Sequence, residues 1–315
     1  MPPAGESESA EGPGDGDAAA SGNGPAGEAS AESTGTARGL LELTRPGNTV
    51  SAGVLTFTGS FVAAGVFASP FRVAAAVLAT VFATGAGNAV NDYFDREIDA
   101  INRPDRPIPR GAVSSRGALA FSVALFLGAV VCAALLPLEA LGIAVVNLLA
   151  LVAYTEYFKG LPGVGNVVVG YLTGSTFLFG AAAVGDPFDR SVLVLFGLAA
   201  LATFTREVVK DVEDVAGDRE EGLRTLPIVV GERVALGVGL VAMVVATAAS
   251  AFPYLESGFG IAYLALVVPA DLLMLAACVR SFADPSVAQR RLKRGMLLAT
   301  AAFIAGRVFM PAGPI

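Results

Sequence analysis

Two groups of aspartates, separated by more than a hundred residues, carry the chemistry that this sequence offers. The first is Asn91-Asp92-Tyr93-Phe94-Asp95-Arg96-Glu97-Ile98-Asp99, and the second is Asp211-Val212-Glu213-Asp214-Val215-Ala216-Gly217-Asp218. In both, aspartates recur after three and then four residues, a spacing that places them on one face of a helix. We call these the first and the second aspartate ladder. Because each follows an apolar segment, where gathered carboxylates are electrostatically costly, a divalent cation is predicted between them.

The composition narrows the identity of that cation. The 315 residues contain no histidine, which excludes histidine-ligated zinc, histidine-ligated haem and acid–base catalysis by histidine. The two cysteines, Cys132 and Cys278, both lie within apolar segments and predict no disulfide framework. An ion held by oxygen ligands alone is expected to be Mg²⁺ or Mn²⁺.

Basic residues accompany both ladders. A proline-rich loop with three arginines, residues 102–111, follows the first ladder; Arg206 and Lys210 precede the second, and Arg219 and Arg224 follow it. Carboxylates beside arginines indicate a bound polyphosphate, with the metal bridging phosphate oxygens and the basic side chains neutralising the remaining charge. For a single helix end, the same spacing also describes an ordinary solvated face with salt bridges. The presence of two matched ladders favours the site.

The elements that must position these residues are predicted to be membrane helices. The sequence is 54% hydrophobic and only 16% charged, whereas soluble domains carry about a quarter charged residues. Apolar segments of about 20 residues, the length that crosses a bilayer, occur at residues 47–67, 71–91, 116–136, 138–157, 163–184, 190–209, 232–252, 258–279 and 294–312. They predict an all-α integral membrane protein with nine transmembrane helices.

The basic residues also predict the orientation of these helices. All but three of the 21 lysines and arginines fall on the side that holds the N-terminus, and only Arg72, Arg190 and Arg307 fall on the other. Since loops rich in Lys and Arg stay in the cytoplasm, the N-terminus and both ladders are expected there. The protein is therefore predicted to be a multi-pass protein of the cell membrane with a cytoplasmic active site.

The N-terminal 37 residues differ from the rest of the chain. They contain seven acidic residues and no lysine, arginine, aromatic residue, leucine, isoleucine or valine. Such a segment cannot bury a hydrophobic core, so residues 1–37 are predicted to be a disordered acidic tail. Residues 38–315 are predicted to form one polytopic domain.

Three further polar residues stand in or beside apolar segments, and each has two interpretations. Lys159, in Tyr154-Thr155-Glu156-Tyr157-Phe158-Lys159, is a candidate phosphate contact or an interfacial anchor. Asn166 is a candidate for a polar contact within the bundle or for a substrate contact. Asp271 is an acid in the middle of a predicted span, which marks either a site or a structural pair.

The paired motifs Asn-Asp-x-x-Asp-x-x-x-Asp and Asp-x-x-Asp-x-x-x-Asp resemble those of the UbiA-type membrane prenyltransferases, over about residues 38–312. The resemblance implies nine helices around a central chamber open to lipid, with Mg²⁺ and the diphosphate of a polyprenyl donor bound at both ladders. It implies metal ligands at Asn91, Asp92, Asp95, Asp99, Asp211, Asp214 and Asp218, of which Asp95, Asp99, Asp214 and Asp218 are the expected catalytic residues. The expected contacts to substrate phosphate are Arg103, Arg106, Lys159, Arg206, Lys210 and Arg224.

Within the family, residues 91–111 and 206–227 look most like the archaeal enzymes that transfer a geranylgeranyl group from geranylgeranyl diphosphate to the free hydroxyl of geranylgeranylglyceryl phosphate. This resemblance implies formation of the second ether bond of archaeal membrane lipids. The expected partners are the polyprenyl diphosphate donor, a lipid-like phosphate acceptor and membrane lipids, with no nucleic acid.

Two alternatives stay open at this point. Prenylation of an aromatic quinone precursor, of the hydroxybenzoate or naphthoate type, is the nearer one because such relatives share both ladders. An ion-coupled transporter is the remote one, since transporters place their binding sites near the bilayer midplane, whereas these ladders end their helices. For the proton released by an attacking hydroxyl, either a ladder carboxylate or the departing diphosphate is a possible acceptor.

Overall fold

The structure, a computed structural model, describes residues 35–64 and 69–310, and all regular elements in these ranges are helical. The helices are residues 35–43 (α1), Pro46–Ala64 (α2), Pro70–Phe94 (α3), Arg96–Asn102 (α4), Ser115–Ala134 (α5), Leu138–Ala153 (α6), Val164–Ala183 (α7), Arg190–Glu213 (α8), Val215–Glu220 (α9), Leu226–Val230 (α10), Glu232–Ala249 (α11), Phe252–Glu256 (α12), Ile261–Ser281 (α13) and Pro285–Val308 (α14). A π-helical turn, Tyr154–Phe158, continues α6. The all-α prediction is confirmed for the described residues.

Seven helical segments are long and apolar enough to cross a membrane, and they involve α3, α5, α6, α7, α8, α11 and α13. The other two predicted spans correspond to α2, which is rich in Thr, Ser and Gly, and to α14, which carries four basic residues between positions 290 and 294. Nine spans and a cytoplasmic N-terminus therefore stay predictions. Residues 1–34 of the predicted tail lie outside the described residues, and residues 35–37 belong to α1.

Two helix boundaries differ from the predicted spans in a way that affects the site. The last helix begins at Pro285 rather than near residue 294, because the Asp284 carboxylate accepts a hydrogen bond from the Val287 N–H at 3.0 Å and caps it. The basic residues after Pro285 are therefore inside α14. The predicted sixth span continues to Glu213, so Lys210 belongs to α8 and projects from its last turn.

Small residues hold α2 against α7. A Cβ atom on Gly59 would overlap the carbonyl oxygen of Phe177, and one on Gly180 would overlap the carbonyl oxygen of Thr56. The Ser60 hydroxyl donates to the Gly180 carbonyl at 2.7 Å. Close approach through glycines with an interhelical hydrogen bond is a common packing mode of membrane helices, and here it fixes the helix that begins beside the first ladder.

Three aromatic side chains fill the core near the opposite ends of α13 and α14. Phe259, Tyr263 and Phe303 are buried and meet edge to face, with ring centroids 5.3–5.8 Å apart. The Tyr263 hydroxyl donates to the Ser250 carbonyl at 2.7 Å, as a buried phenol requires. This cluster closes the bundle away from the ladders.

We expect Gly180→Ala to lower the free energy of unfolding by about 1–3 kcal/mol, since the added methyl group must push α2 from α7. Thermal unfolding of the detergent-solubilised protein would measure this as a lower midpoint. The matched control is Gly237→Ala in α11, where nothing lies within 4 Å of the added Cβ. An equal loss of stability in both variants would contradict the proposed close contact.

Candidate active site

Two carboxylates of the first ladder are buried and share one arginine. Asp92 is 4% exposed and Asp99 is 6% exposed. The Arg106 Nη1 atom donates to Asp92 at 3.1 Å and to Asp99 at 2.5 Å, and Arg45 Nη2 donates to Asp92 at 2.6 Å. Two guanidinium groups thus neutralise two buried carboxylates, as burial of charge requires.

Neither ladder lies on a single uninterrupted helix. α3 ends and α4 begins at Asp95, and α8 ends and α9 begins at Asp214, with nearly equal backbone angles (φ −82°, ψ 1° and φ −93°, ψ 2°). At both breaks the i to i−4 backbone hydrogen bonds continue, for example from Asp99 to Asp95 at 2.8 Å and from Asp218 to Asp214 at 2.9 Å. The spacing of three and four is therefore kept across both breaks, at which Asp95 is exposed and the Asp214 side chain is 46% exposed.

The other two members of the first ladder differ from Asp92 and Asp99 in their exposure to solvent. Asn91 and Asp95 are exposed, whereas Asp92 and Asp99 are buried. The predicted ligands thus form an inner pair already neutralised by arginines and an outer pair open to incoming groups.

The second ladder is held by neutral donors and one lysine. The buried Asn166 donates its Nδ2–H to Asp211 at 2.7 Å, and the buried Thr225 hydroxyl donates to Asp218 at 3.1 Å. Lys210 Nζ lies 3.2 Å from the Asp214 carboxylate. These contacts orient the three carboxylates without neutralising Asp211 or Asp218, which leaves negative charge for a cation.

A glycine turn places Asn166 where it can reach Asp211. Gly163 has φ +73°, a conformation that glycine adopts without strain, and it begins α7 directly after the loop that contains Lys159. Asn166 then lies in the first turn of α7. The structure thus supports the interpretation of Asn166 as a polar contact within the bundle, one made to the site itself.

Among the predicted phosphate contacts, three are unpaired in the part of the chain that the structure describes. Arg103, Lys159 and Arg224 are exposed and form no ion pair there. The Arg224 N–H donates to the Gly160 carbonyl at 3.1 Å, so the loops that carry Lys159 and Arg224 meet. The other three, Arg106, Arg206 and Lys210, are engaged with carboxylates of the site region.

One residue of the first ladder's surroundings was not predicted. Arg45 contributes the shortest contact to Asp92, yet it lies 47 residues away in sequence. It adopts φ +50°, which is uncommon for a residue other than glycine, and it precedes Pro46, which disfavours helical geometry before it. The Arg-Pro pair at the start of α2 was the only local signal.

A polar pocket of about 440 Å³ adjoins the first ladder. It is lined by Glu42, Arg45, Asp92 and the loop residues 102–107. Glu42 anchors the outer arginines: Arg110 donates to it at 2.7 Å and Arg38 at 3.0 Å. The hydrogen bond from Arg110, and after it that from Arg38, holds the pKa of Glu42 below its usual value.

A second cavity, of about 460 Å³, lies within the bundle, between α2, α7, α8, α11, α13 and α14. Its volume is in the range of small-ligand pockets. Most of its lining is apolar, and its far part reaches Phe177, Leu195 and Phe303 beside the buried aromatic cluster. Arg206 and Lys293 line it near the end where the ladders lie. The cavity therefore suits a long apolar chain with a charged head.

Asp271 is the one carboxylate that lines this cavity on α13. The Ser250 hydroxyl donates to it at 2.6 Å. The prediction of a structural pair is thus supported by a hydrogen bond, although the side chain also faces the cavity.

The donor set fits a hard divalent cation in chemical type. Two buried carboxylates, Asp92 and Asp99, already converge on a single positively charged nitrogen of Arg106, and oxygen ligands are those that Mg²⁺ prefers. Within residues 35–64 and 69–310, no three such side chains gather closely enough to hold a metal. The described residues thus suit such an ion in chemical type and bring two carboxylates together.

A sequence model described as the UbiA prenyltransferase family matches residues 52–304. The chain belongs to the UbiA prenyltransferase family. It is 60% identical over 279 residues to digeranylgeranylglyceryl phosphate synthase from Haloquadratum walsbyi, an alignment that covers 89% of this chain and 98% of the relative. A solved structure of a digeranylgeranylglyceryl phosphate synthase matches with a TM-score of 0.73 and 34% identity, covering 87% of this chain and 99% of that one.

Another UbiA homolog, from Archaeoglobus fulgidus and bound to GPP and Mg²⁺, matches with a TM-score of 0.63 at 17% identity, covering 86% of this chain and 99% of that one. This likeness shows the fold. Family membership makes the protein a prenyltransferase and a multi-pass membrane enzyme, and confirms the resemblance seen in the two ladders.

We expect Asn166→Ala to raise the Mg²⁺ concentration needed for half-maximal activity by about 10- to 100-fold, because groups that orient metal ligands have effects of this size. The measurement is a magnesium titration of prenyl transfer in membranes. Ser175→Ala is the control on the same helix, since the Ser175 hydroxyl, within the described ranges, bonds only to the Leu172 carbonyl. An unchanged magnesium requirement in Asn166→Ala would contradict the orienting role.

Proposed function

We propose that the protein transfers a geranylgeranyl group from geranylgeranyl diphosphate to the free hydroxyl of geranylgeranylglyceryl phosphate, in a reaction that requires Mg²⁺. The observation that carries this proposal is 60% identity across almost the whole of a relative named digeranylgeranylglyceryl phosphate synthase. The product of the proposed reaction is the compound in that name, and its new bond is the second ether of an archaeal lipid.

The ladders are the proposed site of the leaving diphosphate. Asn91, Asp92, Asp95 and Asp99 would hold one Mg²⁺, and Asp211, Asp214 and Asp218 would hold the other. Bound Mg²⁺ neutralises the charge that develops on a departing diphosphate. Asp95 is exposed and the Asp214 side chain is 46% exposed, so both are accessible to incoming groups, which supports their assignment as catalytic together with Asp99 and Asp218.

The basic side chains complete the neutralisation. Arg103, Lys159 and Arg224 are exposed and unpaired within the described ranges, so they are available to phosphate oxygens. Arg106 bridges Asp92 and Asp99, and a diphosphate bound beside it would offer a second anionic partner. Lys210 pairs with Asp214 of the second ladder, and Arg206, paired with Glu207, lies on the same helix.

The apolar cavity suits a reaction that passes through a carbocation. When the bond between C1 of the donor and the diphosphate oxygen breaks, the electron pair leaves with the diphosphate and C1 becomes an allylic cation. The cavity keeps water from that cation, and the acceptor hydroxyl forms the new bond to C1. The proton of that hydroxyl passes to a ladder carboxylate or to the diphosphate.

The proposed location is the cytoplasmic side of the cell membrane. The ladders, the three unpaired basic residues and the basic part of α14 all belong to segments on the side that the arginine and lysine distribution assigns to the cytoplasm. Both water-soluble Mg²⁺ and a membrane-embedded prenyl chain reach a site at this boundary.

We expect radiolabelled geranylgeranyl diphosphate to be joined to geranylgeranylglyceryl phosphate by membranes containing the protein, and EDTA to abolish the product. Asp95→Ala and Asp214→Ala should each lower the rate by at least about 100-fold, the size of effect seen when one stabilising group is removed from a developing charge. Thin-layer separation of the labelled lipid measures both results.

The control is Asp186→Asn, which removes one exposed carboxylate in the α7–α8 connection, at the end of these helices away from the ladders. It should keep the normal rate. Transfer to a hydroxybenzoate or naphthoate instead of the glycerol ether would replace the proposed acceptor, and product formed equally well with EDTA would refute the metal requirement.

A further inference from the structure

We call the end of the apolar cavity beside the ladders, lined by Arg206, Glu207 and Lys293, its neck. One basic residue there forms no ion pair with either ladder. The charged residues that line this cavity are Arg206, Glu207, Asp271 and Lys293. Arg206 donates to Glu207 at 2.6 Å, and Asp271 accepts from Ser250. Lys293 forms no ion pair or hydrogen bond through its side chain with any residue that the structure describes, so its charge is available to a ligand.

Hydrogen bonds made by Gln289 show where Lys293 lies along the bundle relative to the second ladder. Gln289, one helical turn before Lys293 on α14, accepts from Arg206 at 3.1 Å and donates to Glu213 at 2.9 Å. Gln289 therefore lies beside the last two turns of α8, next to the ladder. Lys293 follows on the same face of α14, towards the cavity residues Met296 and Thr300. Lys293 therefore lies at the boundary between the charged neck of the cavity and its apolar interior.

We infer that Lys293 binds the phosphate of the acceptor. This inference rests on the proposed function and assigns one of its substrate contacts. The acceptor's hydroxyl is carried by the carbon next to the one that bears its phosphate, so the phosphate must lie close to C1 of the donor during attack. C1 lies just inside the diphosphate, and hence just inside the ladders, which is the level of Lys293.

The net charge at the neck favours the binding of one anionic head group. Arg206 and Glu207 offset each other, which leaves Lys293 as the net positive charge among the residues of this part of the cavity. Without it, the acceptor phosphate would approach a region of ladder carboxylates and a second phosphate group, a juxtaposition of like charges that costs binding energy. Asn48, which also lines this cavity, offers an amide that bonds to no described side chain.

The test compares Lys293→Met with wild type in kinetics that vary each substrate separately. The variant should raise the KM for geranylgeranylglyceryl phosphate by about 10- to 100-fold, as expected for loss of a hydrogen-bonded charge. The KM for geranylgeranyl diphosphate should change by less than about two-fold. Lys293→Arg should restore most of the acceptor affinity.

A second measurement ties the effect to the phosphate itself. Geranylgeranylglycerol, the same ether without its phosphate, should inhibit wild type and Lys293→Met with equal inhibition constants. Arg294→Met is the matched control, because Arg294 is exposed on the same helix and does not line the cavity. It should leave both KM values unchanged.

The outcomes separate this inference from the proposed function. If wild type does not use the glycerol ether phosphate, the proposed function fails before Lys293 is tested. If wild type uses it and Lys293→Met leaves its KM unchanged, only the inference is overturned. If the variant instead alters only the dependence of the rate on anionic lipid in nanodiscs, Lys293 binds membrane phosphate, which also overturns it.

Discussion

Asp92 and Asp99 are buried within reach of the same arginine nitrogen at the end of a membrane helix, and much of the site depends on how their charge is neutralised. Burying an unpaired carboxylate costs several kcal/mol, so removing one partner of such a pair is far more damaging than the pair's net value suggests. Arg106 meets this requirement only if the loop after α4 folds back over the ladder. The prolines of that loop restrict its backbone, which lowers the entropy lost when it does so.

The same constraint explains why α2 is packed so closely. Arg45 reaches Asp92 from the residue directly before α2, so any shift of α2 moves a guanidinium group of the site. The glycine contacts of α2 with α7 remove that freedom. Because α7 also carries Asn166, which holds Asp211 of the second ladder, one helix contact fixes a supporting residue of each ladder. Positions 59 and 180, far from the chemistry in sequence, thus act on both halves of the site.

The parts of this site that sequence predicted are those set by local spacing. Aspartates at intervals of three and four identified both ladders, because a helical repeat of 3.6 residues relates them directly. The break at Asp95 and that at Asp214 were not predicted, since the backbone hydrogen bonds continue through them and no glycine or proline marks the position. The contacts made by Arg45 and Gln289 could not be predicted either, because they join helices 47 and 76 or more residues apart, and only tertiary packing brings these together.

The two ladders differ in their electrostatics despite their matching sequences. The buried carboxylates of the first are bonded to arginines, whereas Asp211 and Asp218 of the second accept side-chain hydrogen bonds only from neutral donors among the described residues. If a divalent cation binds as proposed, basic side chains would compete with it at the first ladder, where Arg106 already bonds to Asp92 and Asp99. The same arginine would offer charged N–H groups to a diphosphate bound beside the first ladder. The two ladders would therefore play unequal parts, since one already carries its cationic partners and the other leaves two carboxylates for the ion.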